Sequence, residues 1–184
     1  MSGHGHIAAL ARKIARRCCL IPLAAAPAAA FAASPATLCQ QDEQVLFSCH
    51  VKYKDRLVSL CGSKDLAAAK GYLQYRFGAP DKIELQYPEA RENSQKALHY
   101  GHYFRAQVDQ TRVYFTKEKY LYELFTDEEG DVTPKISSKG VRSTDPAAPD
   151  KPHELTCAGP AVNQLWKLET VLSCDSNEAD CPAN

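Results

Sequence analysis

Residues 42–62 read DEQVLFSCHVKYKDRLVSLCG. Val45, Phe47, Cys49 and Val51 alternate with Leu46, Ser48 and His50, and Val58 and Leu60 alternate with Leu57, Ser59 and Cys61. Two period-two runs joined by the polar Lys52–Asp55 predict an antiparallel hairpin. A turn at that position sets Cys49 beside Val58 and Cys61 beside Leu46. The two cysteines therefore do not face each other, and each is expected to reach a different partner, either Cys39 or a cysteine near the C-terminus.

What those sulfurs do depends on compartment. The chain opens with a basic segment holding Arg12, Lys13, Arg16 and Arg17, followed by the uncharged CCLIPLAAAPAAAFA at 18–32. Its AFA end puts small Ala30 and Ala32 at the −3 and −1 positions, the pattern of a Sec-type signal peptide with cleavage near Ala32. The apolar run is shorter than the roughly 20 residues a membrane helix needs, and Pro22 and Pro27 interrupt it. A periplasmic or secreted product is expected, with no stable membrane insertion after cleavage. Six cysteines then remain: Cys39, Cys49, Cys61, Cys157, Cys174 and Cys181. An even set in an exported chain reads as a disulfide framework, here with 15 possible pairings. C-x-x-C spacing is absent, so neither a redox pair nor a zinc knuckle is indicated. No metal or cofactor is expected.

The whole chain has 22 Lys+Arg, 22 Asp+Glu and formal charge +0. Losing four basic residues and no acidic ones with the leader leaves −4. Such a chain has no electrostatic reason to seek nucleic acid or anionic lipid.

Further hairpins follow. Residues 63–71 suggest a short helix closed by Gly71. Leu73, Tyr75 and Phe77 then alternate with Tyr72, Gln74 and Arg76, and Ile83, Leu85 and Tyr87 with Lys82, Glu84 and Gln86. ALHYGHYFRAQVD (97–109) reads as one long strand, TRVYFT and YLYELFT as a hairpin turned by KEK, DEEGD as an acidic turn, and VTPKIS as a last edge strand, where Pro134 is tolerated. Seven or eight strands in series predict a mainly β fold, an antiparallel meander forming a small barrel or sandwich over residues 33–142. STDPAAPDKP makes 143–153 a proline-rich strap. In 154–184, Val162, Leu165, Trp166, Leu168 and Leu172 have the spacing of an amphipathic helix with Pro160 near its start. At least one disulfide should tie this segment to the Cys39–Cys61 group. Closing a loop of that size stabilises by roughly 4 kcal/mol through the unfolded state.

The strings CQQDEQVLFSC (39–49), LVSLC (57–61), YLQYRFG (72–78) and IELQYP (83–88) resemble a group of exported proteobacterial proteins of unknown function. The resemblance spans roughly Cys39 to Phe125. It implies a bacterial envelope location and leaves activity, ligand and partner open.

Chemistry is sparse. His99 and His102 are three apart on a strand, hence on opposite faces, the wrong placement for sharing a metal. His50 and His153 are isolated, and Ser48 and Ser59 lack the G-x-S-x-G elbow. Asp127, Glu128, Glu129 and Asp131 surround Gly130 without the ligand spacing of an EF-hand, so they are expected to be a solvated turn. No catalytic residue is assigned. Tyr72, Arg76, Glu84, Tyr103 and Arg105 are expected to point away from the core as an interaction face, since Tyr and Arg carry interface energy. These features favour a non-enzymatic periplasmic binding module, a protein-directed inhibitor or immunity protein partnered by another envelope protein. The alternatives are an envelope-polymer hydrolase pairing acids such as Glu84, Glu123 and Asp109, or a structural envelope component.

Overall fold

The computed structural model describes Met1 and residues 36–174. The leader and Cys181 lie outside the described residues. Nine strands form one antiparallel sheet: β1 Glu43–Val51, β2 Leu57–Ser63, β3 Leu73–Ala79, β4 Lys82–Tyr87, β5 His99–Arg105, β6 Val108–Lys117, β7 Tyr120–Glu129, β8 Ile136–Thr144 and β9 His153–Asn163. The spatial order is β4-β3-β2-β1-β9-β8-β7-β6-β5. Two hairpin-connected meanders, β1–β4 and β5–β9, therefore meet at a β1·β9 seam.

Residues 88–98 carry the chain from β4, at one edge, to β5, at the other. A flat nine-stranded sheet would be about 38 Å wide, and this connection, which contains a 3-10 turn at Ser94–Ala97, is too compact for that span. The sheet curls instead into a half-barrel. Its two wings touch through Phe115 of β6, whose ring lies 5.2 Å from Tyr75 of β3 and stacks at 4.4 Å on Tyr87 of β4. Among the described residues, β4 and β5 are not hydrogen-bonded to each other.

The concave face holds the apolar core, with Phe47, Val58, Leu60, Leu73, Tyr75, Tyr100, Val113, Phe115 and Leu124 buried. Leu165, Leu168 and Leu172 close its lower end. The expected mainly β, disulfide-bonded antiparallel meander is the observed fold. Cys39 pairs with Cys61 (Cα–Cα 5.3 Å) and Cys49 with Cys157 (5.6 Å), and Cys174 is also disulfide-bonded. The Cys49–Cys157 bridge crosses the seam between meanders. Disulfides of this kind are consistent with an exported protein.

Several expectations are corrected. Cys49 does pair with Val58, but Cys61 opposes Val45 because a bulge at Leu46 shifts the register. Residues 64–72 form turns with a bridge between Ala67 and Lys70, not a helix. The long strand at 97–109 breaks at Ala106–Gln107, with Gln107 at φ 67, into the β5–β6 hairpin. The acidic residues through Glu129 belong to β7, and β8 is an interior strand rather than an edge, with Pro134 in the turn before it. The strap is confined to residues 145–152. The expected C-terminal helix is instead strand β9 followed by a single 3-10 turn at Leu165–Leu168.

Candidate binding cleft

The residues proposed as one interaction face are dispersed. Arg76 does leave the concave core, but its side chain is only 2% exposed. Residues 36–42 cover the convex face of β1–β3: Leu38 N–H donates to Ser59 Oγ at 3.0 Å, and Ser48 Oγ donates to Ala36 O at 2.9 Å. Beneath this cover Arg76 donates from Nη1 to Glu43 Oε2 (2.5 Å) and Leu38 O (3.1 Å). Its Nη2 donates to Glu43 Oε1 and Gln74 Oε1 (2.8 Å each), and Nε to Gln86 Oε1 (3.1 Å). All five guanidinium N–H groups are used.

Tyr72 belongs to the same cluster. Its hydroxyl donates to Glu43 Oε1 at 3.0 Å, and Arg91 lies 4.4 Å over its ring. Burial opposes ionisation of Glu43, but the Arg76 guanidinium, the Gln40 N–H and the Tyr72 hydroxyl outweigh it and hold the carboxyl below its ordinary range. The strings CQQDEQ, YLQYRFG and IELQYP thus supply Glu43, Tyr72, Gln74, Arg76 and Gln86 to one saturated structural node, which has no capacity left for a ligand. Cys39, Glu43 and Cys61 also converge there. Their sulfurs form a disulfide and the carboxylate is held by Arg76, so they are not a metal site.

Glu84 lies on β4, bound to Arg56 at 2.6 Å. Tyr103 and Arg105 lie at the far end of β5, where Arg105 pairs with Asp131 at 2.6 Å. The acids considered for hydrolysis are similarly separated. Asp109 on β6 meets His102 Nε2 at 3.0 Å, and Glu123 lies on β7 opposite Arg142. Of the acidic residues near Gly130, Asp127 is a buried ion-pair partner, whereas Glu128 pairs with a lysine while staying half exposed. Asp127 lies 2.6 Å from Arg112 and 2.8 Å from Arg142, and Glu128 lies 2.7 Å from Lys139.

What the fold does build is a cleft at the upper mouth of the half-barrel, about 340 Å³ in volume. Alternation delivers Tyr75 and Phe77 from β3, Leu85 from β4, Tyr122 from β7, Val141 from β8 and Leu155 from β9 to its apolar lining. Lys54, Arg142, Ser143 and His153 form a polar lip. Burial pushes the Tyr75 hydroxyl pKa upward, and burial followed by the nearby Glu118 charge does the same for Tyr122. Both phenols remain neutral donors at physiological pH. The volume lies in the lower range of small-ligand sites, and an apolar wall with a few convergent polar groups is their usual chemistry.

The sequence placed Tyr75, Phe77 and Leu85 on the inward face. It missed Leu155 and His153, which fell beside an apparent helix, and Lys54, which reads as ordinary turn polarity. No protein-family model, curated protein or solved structure matches the chain. Among the described residues, no helix is long and apolar enough to cross a membrane.

Proposed function

We propose that this protein is an exported, non-enzymatic binding module of the bacterial envelope, processed near Ala32, that engages its ligand through the concave cleft. The observation carrying this reading is an open aromatic and aliphatic cleft on a scaffold braced by disulfides. Rigidity of that kind limits the ordering entropy lost on binding. The acids considered for hydrolysis support it in the negative sense, because Glu84 and Asp109 each have a partner of their own and none of Glu84, Glu123 and Asp109 lines the cleft.

The test is native mass spectrometry of the oxidised protein purified from its own envelope fraction, beside a Ser143→Trp variant that fills the cleft mouth. A small bound species present in the first sample and missing from the second is expected. A species retained equally by both would put binding elsewhere, and an empty cleft in every fraction would remove the reading.

A second reading, capture of another envelope protein in an inhibitor or immunity role, is favoured by one feature. Phe104, 71% exposed, stands beside Tyr103 on edge strand β5, and edge strands offer unpaired backbone to a partner strand. Loss of a co-purifying protein on Phe104→Asp substitution is its expected signature.

A further inference from the structure

Charge at the cleft is one-sided. Its lining contains no carboxylate, and its two permanent cations are Lys54 and Arg142. Arg142 is already engaged, with Nη2 2.8 Å from Asp127 and Nε 2.7 Å from Glu154, and its guanidinium 3.8 Å over the Phe125 ring. Among the described residues, Lys54 takes part in no ion pair or side-chain hydrogen bond. Asp55 and Glu84 stand in the adjoining cleft on its other side, where Arg56 holds Glu84 at 2.6 Å.

The position of Lys54 is fixed by its backbone. Its N–H donates to Val51 O at 3.2 Å, Val51 N–H to Arg56 O at 2.9 Å, and Lys52 N–H to Thr156 O of β9 at 2.8 Å. The turn is therefore tied across the seam, and Lys54, which lines the cleft, stands on a fixed base. On the opposite lip Ser143 and His153 are register partners of β8 and β9. They offer a hydroxyl and an imidazole N–H, hydrogen-bond donors for an anion already paired with the ammonium.

Resting on the cleft reading above, we propose that the ligand is an amphipathic organic monoanion. Its acyl or aryl body lies against Phe77, Leu85, Tyr122 and Leu155, and its carboxylate meets Lys54, with Ser143 and His153 as hydrogen-bond donors. One uncommitted ammonium matches one negative charge. A phosphate dianion would call for the forked, multi-donor guanidinium, and the guanidinium present is taken.

Calorimetric titration of the oxidised, processed chain with sodium octanoate, 1-octanol and octyltrimethylammonium tests this. Octanoate should bind about tenfold more tightly than octanol, the scale of one charge-assisted contact, and octyltrimethylammonium most weakly. Lys54→Gln should bring octanoate to within about twofold of octanol and leave octanol unchanged, while Ser143→Trp should weaken all three. Equal binding of the three probes, or an octanoate preference that survives Lys54→Gln, overturns the ligand class and leaves the cleft reading standing. Octanoate binding indifferent to Ser143→Trp, or no binding by any probe, overturns both.

Discussion

At the scale of single residues, the Arg76–Glu43 pair shows how much alternation can and cannot reveal. Period two correctly turned Arg76 away from the apolar core. No local pattern in 36–42 announced that this segment would fold over it, and exposure was therefore misjudged. Removing one partner of a buried, saturated pair strands a desolvated charge. Arg76→Met should cost about 3–5 kcal/mol in urea denaturation, and adding Glu43→Leu to it should recover much of that loss. Glu43 also predicts an acid limb. Its folded pKa is lowered, so its contribution is complete above the unfolded carboxyl value and is lost as pH falls through the folded one. Unfolding midpoints should decline below about pH 4. Glu43→Gln should flatten that decline while lowering the midpoint at pH 7.

At the scale of elements, β9 accounts for most of what was misread. Leu165, Leu168 and Leu172 do lie on one buried side, but that spacing belongs to a 3-10 turn and the segment following it. The preceding His153–Asn163 contains Gly159 and Pro160, which argue against an interior strand. The strand accommodates them by a bulge: Ser48 pairs with Val162 and His50 with Ala158, so three residues of β9 oppose Cys49 alone. Gly159 takes φ +69 there, and a Cβ would meet nothing within 4 Å. The demand is on backbone conformation, not on space. Gly159→Ala should cost about 1–2 kcal/mol and Gly159→Asn distinctly less, as read by thermal unfolding. The extra hairpin at Ala106–Gln107 escaped notice for a related reason, since its positive φ falls on Gln107 without the glycine or asparagine that usually marks such turns. The hairpins with polar turns, β1–β2 and β6–β7, were legible because turn chemistry and alternation agreed.

At the scale of the whole molecule, two meanders are held in one half-barrel by the β1·β9 seam, the 88–98 connection and the contacts of Phe115. The two disulfides that lie wholly among the described residues bear on this assembly differently. Cys49–Cys157 closes a sequence separation of 108 across the seam, and Cys39–Cys61 one of 22 that fastens the convex cover. Unfolded-chain entropy assigns them about 5 and 3 kcal/mol. Their local roles differ more. Val51 pairs with Cys157, Lys52 N–H bonds to Thr156 O, and Leu155 lines the cleft, so the seam bridge fixes both the floor and the lip that carries Lys54. Cys49→Ala/Cys157→Ala should therefore lower the unfolding midpoint further and weaken cleft binding. Cys39→Ala/Cys61→Ala should instead speed amide exchange at Leu38 and leave cleft affinity intact. Each pair can be followed by chemical denaturation, hydrogen exchange and octanoate titration on the same preparation. If both pairs weakened binding equally, the cleft would depend on overall stability alone, and the seam would have no special part in shaping it.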